Sequence, residues 1–405
     1  MSSVAEVRLI DAVRRRLRLA LEQDWRDATY ARGAAGQLLA LSALDELAVA
    51  RGGSQSVDAD WIAELLMRLL SVLPRYPQGL FQGVQGLLFA ALELDRCYGL
   101  GLVEEVAREA DEHLLDCLRS GDGLPEHFDL IGGLSGLLVY AACREQQGLT
   151  LPLAEACIGR LAGMAQWDGQ GGASWFTPAA WIRGFPMGDV HPTGCTDLGV
   201  AHGQAGVLAA MAYALASGAS GAAQGRALLL GSLQTLRRHE QQGAHAHFGV
   251  AAEEPGGSRC AWCYGDLGMA AALQLAGVAL ADPAVEAWAD RLLQSLSRRP
   301  WPSLGFSDAW LCHGSIGSAW LLRQLAPQRR EVAERFQRQH ALDGDGGLLA
   351  ALEAEEAPDL SLLEGYAGLA LALAEGRQVR PPSVHWSLPF LAGRRALQVA
   401  TPLHA

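Results

Sequence analysis

Three residues carry the donor chemistry of a soft-metal site. Cys263 closes the segment Arg259-Cys260-Ala261-Trp262-Cys263, and the pair Cys312-His313 follows roughly fifty residues later. Two thiolates and an imidazole form a zinc ligand set, and three protein ligands with a fourth position left to water or substrate mark catalytic rather than structural zinc. Cys260 forms a Cys-x-x-Cys with Cys263 and would complete a closed Cys3His structural site. The open site is the preferred reading, because structural zinc staples small or loop-rich segments, whereas a chain that is 50% hydrophobic has ample core. His202 is a candidate general acid or base. Asp129 could orient it or act itself, and Arg259 could steady a developing oxyanion. An Asp or Arg in mid-chain is more often a solvated or salt-bridged residue, so that reading stays open for both. His191, Cys195, His245 and His247 read as ordinary loop residues.

The elements that must position these groups come from a repeat. A Gly-x-x-Gly opening an Ala/Leu-rich run recurs seven times, at Gly33/Gly36, Gly83/Gly86, Gly133/Gly136, Gly203/Gly206, Gly265/Gly268, Gly314/Gly317 and Gly365/Gly368. First-glycine intervals of 50, 50, 70, 62, 49 and 51 residues each hold a helical hairpin. The helix after each glycine pair is apolar nearly all round, which predicts a buried inner helix. Its partner is charged on one face, as in Asp60 to Leu70, Leu102 to Leu118 and Pro283 to Leu296, which predicts an outer layer. The first and last copies are as apolar as the rest, whereas an open solenoid needs polar caps. The expected fold is therefore all-α, a closed α/α toroid of seven inner and seven outer helices, with 1–405 as a single domain. The glycines themselves read as packing residues in most copies. The two long intervals predict loops at 167–199 and 239–258 over one mouth of the toroid.

Residues just before the first glycine should occupy equivalent places. They are Arg32, Gln82, Gly132, His202, Tyr264, His313 and Glu364, with Cys263 and Cys312 one residue further back. Repeats four to six thus present the polar, soft side chains at one end of the inner helices.

Composition narrows the partners. With 32 Lys+Arg against 44 Asp+Glu, the net charge of −12 has the wrong sign for nucleic acid. Every basic residue is Arg and Asn is absent, which reads as GC-rich bacterial codon usage. No apolar run resembles a secretory signal or reaches the length of a membrane span. The chain is expected to be cytoplasmic, with its 8 cysteines reduced.

Taken in order, the motifs resemble those of the lanthionine synthetase C-like cyclases, which close thioether rings in ribosomal peptides. They are Phe128-Asp129-Leu130-Ile131-Gly132-Gly133-Leu134-Ser135-Gly136, Gly199-Val200-Ala201-His202-Gly203-Gln204-Ala205-Gly206, Arg259-Cys260-Ala261-Trp262-Cys263-Tyr264-Gly265, Leu311-Cys312-His313-Gly314 and Leu363-Glu364-Gly365-Tyr366-Ala367-Gly368. The resemblance implies a toroid, zinc (Zn2+) held by Cys263, Cys312 and His313, and catalytic importance for Asp129, His202, Arg259 and Tyr264. It also implies a dehydrated precursor peptide as substrate, with Cys thiols adding to dehydroalanine or dehydrobutyrine. Asp266-Leu267-Gly268 departs from the family form, which has proline before that glycine. The early intervals leave no room for the β-rich insertion of some members, and nothing resembling a dehydratase precedes the repeats, so a stand-alone cyclase served by a separate dehydratase is expected. The alternatives are a glutathione-binding or glutathione-adding relative, or another zinc toroid transferase. A glycosidase would need two facing carboxylates, for which Asp129 and Glu364 are the motif-linked pair.

Overall fold

The computed structural model describes residues 4–242, 245–254, 256–342, 344, 347–375 and 382–399. Among them the regular elements are all helices apart from four two-residue strands. Every Gly-x-x-Gly opens an inner helix. In order these are Ala34–Val49, Val84–Tyr98, Leu134–Gln146, Gln204–Ala216, Asp266–Leu280, Ser315–Leu325 and Tyr366–Glu375. Nearly every residue along them is buried, as in Gln204 to Ala214. The partner helices are amphipathic. Ala59–Ser71 buries Ile62, Leu65, Leu66 and Leu69 and is N-capped by Asp58, and Pro283–Leu296 starts on Pro283 with Asp282 as its cap. These helices, with Glu104–Ser120, lie within two residues of the predicted outer spans.

The turn before each inner helix explains the glycines. The first helical N–H reaches back seven residues: Ala34 to the Asp27 carbonyl (3.1 Å), Val84 to Pro77 (2.9 Å), Leu134 to His127 (3.0 Å), Gln204 to Asp197 (2.8 Å), Ser315 to Asp308 (2.9 Å) and Tyr366 to Asp359 (2.9 Å). A chain closed this tightly leaves no space for a Cβ. One placed on Gly83 would lie 2.7 Å from the Gly79 nitrogen, and one on Gly36, Gly206 or Gly368 would overlap the carbonyl oxygen of Tyr30, Val200 or Leu362. The pair is a steric requirement of the turn, as the packing reading anticipates. In four repeats an aspartate six residues before the first glycine accepts the N–H two residues on, in Asp27 to Thr29 (2.7 Å), Asp197 to Gly199 (2.7 Å), Asp308 to Trp310 (2.9 Å) and Asp359 to Ser361 (2.8 Å). The fifth turn differs, with Gly265 at φ +94°, a conformation that strains any side-chain-bearing residue.

The chain divides into two compact units, one of Met1–His113 and Phe306–Leu388, the other of Leu114–Gly305 and Pro389–Ala405. In the first, the inner helices are packed in the order sixth, seventh, first, second, so the first and last repeats are side by side and neither needs a polar cap. Main-chain bonds join their turns: Cys312 N–H to the Leu363 carbonyl (3.0 Å), Leu363 N–H to Ala31 (3.0 Å) and Ala31 N–H to Phe81 (2.9 Å). Helix Val4–Leu21 covers the first and seventh inner helices. Trp320 is fully buried in this unit and donates its indole N–H to Glu375 (2.6 Å).

In the second unit the third, fourth and fifth inner helices are neighbours, covered by Leu153–Met164, Ala222–His239 and Pro283–Leu296. The same ladder joins their turns, from Leu130 N–H to the Ala201 carbonyl (3.2 Å) and from Val200 N–H to Cys263 (2.8 Å). The segment expected as a loop at 167–199 carries local structure instead. Gln166–Trp167 pairs antiparallel with Ala173–Ser174, and Thr177–Pro178 with Gly194–Cys195, around the short helices Ala179–Ile182 and Pro186–Val190. Two-residue strands are too short to show a period, so composition alone read as loop. Trp175 is buried here, and Trp181 stacks on His127 with ring centroids 4.3 Å apart. In the second expected loop, 239–258, His239 ends an outer helix, Ala251 bridges to Asp197, and Gly243, Ala244 and Pro255 lie outside the described residues. No helix among the described residues is long and apolar enough to cross a membrane.

Candidate metal centre and acid–base pairs

Although the fifth turn departs from the other six, it keeps the bond of the second glycine, from the Gly268 N–H to the Ala261 carbonyl (3.0 Å), so the residue before the first glycine holds a corresponding place in each. In the second unit this position carries His202 and Tyr264, and each is held by an acid of the preceding repeat. Asp129 accepts the Gly132 N–H at 2.9 Å with Oδ1, while its Oδ2 lies 2.7 Å from His202 Nδ1. Asp197 accepts the Gly199 N–H at 2.7 Å with Oδ1, and its Oδ2 accepts the Tyr264 hydroxyl at 2.7 Å. Asp129 thus pairs with His202, one of its two predicted roles.

Electrostatics separates these groups. Enclosure of His202 works against its charged form, but the hydrogen bond and charge of Asp129, with the charges of Asp197 and Cys263, outweigh it and hold the imidazole above its ordinary value. About half of that side chain remains solvent-exposed, so the shift is tempered by water. Burial pushes Asp197 up to about 6 against the hydrogen bonds that favour its anion. Burial and the Asp197 charge raise the Tyr264 phenol well above its usual range, which keeps its proton in place at neutral pH.

In the first unit, Cys312 is buried and His313 half-buried at the equivalent places. His313 Nε2 lies 3.1 Å from Asp308 Oδ2, while Asp308 Oδ1 accepts the Trp310 N–H. A carboxylate on one ring nitrogen fixes the tautomer and leaves the other, Nδ1, to carry the lone pair of a ligand. Burial works against the Asp308 charge, but the bonds from His313 and the turn hold its carboxyl below the usual value. Glu364 pairs with Arg32 at 3.1 Å.

Cys263, Cys312 and His313 make up a group of side chains able to hold a metal ion. Two sulfurs and an imidazole nitrogen are soft donors that suit zinc and leave a tetrahedral position over. Cys260 is not in that group. It is buried, its N–H is spent on the Leu304 carbonyl (2.8 Å), and burial pushes its thiol up to about 12. Arg259 is exposed, and its guanidinium makes no ion pair or hydrogen bond among the described residues. The structure does not join it to the His202 or Tyr264 pair. The remaining loop candidates are not in the Cys263, Cys312 and His313 group. Cys195 packs with Ile182 and Ala251, the His247 N–H is held by the Asp266 carboxylate at 3.0 Å, His191 faces Glu254 at 3.5 Å, and His245 is exposed.

Asp197 and Asp308 went unrecognised in the sequence. Their signal was an aspartate six residues before the first glycine, shared by repeats one, four, six and seven.

Fold and site together define an α-helical hairpin-repeat protein whose turns carry a thiol-rich donor set and an Asp–His pair. Residues 24–380 match the family described as lanthionine synthetase C-like protein. The chain belongs to that family. It is 27% identical over 205 residues to the nisin biosynthesis protein NisC of Lactococcus lactis subsp. lactis, a match covering 48% of this chain and 48% of NisC, or about half the length of that relative. The solved structure of nisin cyclase superposes with a TM-score of 0.71 at 20% identity, over 95% of this chain and 96% of that one, and shows that the fold is shared.

Proposed function

We propose that the protein is a zinc-dependent lanthipeptide cyclase, adding cysteine thiols of a dehydrated precursor peptide to its dehydroalanine or dehydrobutyrine residues. The observation that carries this reading is the Cys263, Cys312 and His313 donor set standing at the turn positions of a lanthionine synthetase C-like chain. NisC and nisin cyclase bear names of the same chemistry. The eight cysteines, none in a disulfide, support a reducing, cytoplasmic setting.

Zinc on this set would supply deprotonation of the incoming peptide thiol, whose free pKa of about 8.5 leaves it mostly protonated at neutral pH. The chain's own residues would do the rest. Asp308 holds the His313 ring for coordination. Sulfur bonds to the β-carbon of the dehydro residue, its double-bond electrons move toward the carbonyl, and the α-carbon then needs a proton. His202 is the donor, because Asp129 binds Nδ1, raises the basicity of the ring and leaves the proton on Nε2 to be delivered. The thiol loses one proton and the α-carbon gains one, so the peptide keeps its mass. Tyr264, its hydroxyl proton committed to Asp197, orients rather than protonates.

The test is zinc content of wild type and Cys312→Ala, with mass spectrometry of a dehydrated Cys-containing peptide after thiol alkylation. About one zinc per wild-type chain, lost in the variant, and disappearance of the alkylatable thiol at unchanged peptide mass are expected. Absence of zinc, or zinc without thiol consumption, overturns the reading.

A further inference from the structure

We propose that Asp197 is a positioning residue of the same reaction, holding the Tyr264 hydroxyl as Asp129 holds the His202 imidazole. The inference rests on the cyclase reading. The two acids are used alike. Each spends one oxygen on a main-chain N–H of its own turn, Gly132 for Asp129 and Gly199 for Asp197, and the other on the residue before the first glycine of the next repeat. Asp197 is 1% exposed, so both of its oxygens work inside the protein. Three further main-chain contacts fix it in place: the Gln204 N–H on its carbonyl (2.8 Å), the Leu198 N–H on Val250 (2.9 Å), and the bridge to Ala251.

The position it controls is next to the donor set. Tyr264 follows Cys263 directly, and the Cys263 carbonyl is bonded to the Val200 N–H of the turn that carries His202. Accepting the phenol proton sets the rotation of the hydroxyl. Its lone pairs are then presented in one direction, as an acceptor for a donor group of the bound peptide such as an amide N–H. Without the acid the hydroxyl turns freely and that orientation is lost.

Asp197→Asn is the informative change. It keeps an oxygen for the Gly199 N–H and replaces the oxygen facing Tyr264 by an NH2, which meets the phenol as a second donor. With the thiol-consumption assay, kcat should fall roughly 10- to 100-fold, the usual loss for a group that orients a working side chain. Zinc content should be unchanged. Tyr264→Phe should fall by a similar factor, and the double variant no further than the weaker single one, because both changes remove one interaction. A rate for Asp197→Asn within twofold of wild type, or losses that multiply in the double variant, overturns the inference. The same cycle read as Tm tests the bond without reference to activity, since Asp197→Asn should cost less stability when Tyr264→Phe is already present than in wild type. Additive Tm changes refute the bond itself. A wild type that consumes no thiol while the Tm cycle couples refutes the cyclase reading and, with it, the role but not the contact.

Discussion

Replacing Gly206 by alanine is the sharpest test of why the repeats look as they do. Gly206 sits in the first turn of the inner helix Gln204–Ala216, where alanine would ordinarily gain about 0.5–1 kcal/mol over glycine. Here an added Cβ would come closer than 3.0 Å to the Val200 carbonyl oxygen and to 3.1 Å from its carbon, and neither atom is the free end of a flexible side chain. The backbone must move by roughly an ångström to relieve the contact, an overpacking cost of about 1–3 kcal/mol or more. The cost exceeds the helix gain, so Gly206→Ala should be net destabilising by about 1–2 kcal/mol, a Tm loss of roughly 2–8 °C for a unit of this size. Gly159 is the matched control, inside helix Leu153–Met164 of the same unit, exposed, with nothing within 4 Å of its Cβ. Gly159→Ala should raise Tm by about 1–4 °C. Differential scanning fluorimetry of the two variants and wild type decides it. The steric account fails if Gly206→Ala melts at or above wild type, or if the two alanines shift Tm alike. The Val200 N–H is tied to the Cys263 carbonyl, so the strained variant should also lose activity beyond its loss of stability, whereas Gly159→Ala should keep it.

Asp129→Asn keeps an acceptor for Gly132 and removes the charge that raises His202, so the imidazole should titrate lower than in wild type. If His202 acts as the acid, the alkaline limb of kcat/KM moves to lower pH, and NMR titration of the ring should move with it. Stability follows the same sign: the contribution of charged His202 is full below its ordinary value of 6.5, is lost as pH rises through the raised folded value, and disappears in the variant. Asp308→Asn should weaken zinc binding by roughly 10- to 100-fold through loss of the bond to His313, measured by chelator competition. Cys260→Ser should leave zinc content at the wild-type level while costing about 1–3 kcal/mol for a buried hydroxyl.

The hairpin plan was legible because its determinant is a covalent fact: where a closed turn forbids a Cβ, only glycine serves, and Gly33/Gly36 through Gly365/Gly368 are visible as letters. The inner and outer helices followed from where charge falls, since Gln204 to Ala214 lack it and Asp60 to Leu70 carry it on one side. Donor types made the Cys263, Cys312 and His313 set readable, and a repeat-to-repeat offset brought Asp129 and His202 under suspicion together. Asp197 was missed because Asp197-Leu198-Gly199 ends a Gly- and Pro-rich stretch, and a side chain whose partner is 67 residues away leaves no local pattern. The short ladders at Gln166–Trp167 and Thr177–Pro178 were illegible for a related reason, since they are built by pairing rather than by propensity.

Within each unit, the bonds that tie neighbouring turns are donated and accepted by backbone at Ala31, Phe81, Cys312 and Leu363, and at Leu130, Val200, Ala201 and Cys263. They ask nothing of the side chains there or of the neighbours just before the first glycine, which is why Arg32, Gln82, Gly132, His202, Tyr264, His313 and Glu364 can all occupy one architectural socket. The scaffold pins a backbone and leaves the chemistry exchangeable. Arg32, Gln82 and Glu364, of which the first and last are joined by one partly exposed ion pair, are therefore sites where new reactive or substrate-reading groups can be installed in this chain with little consequence for folding.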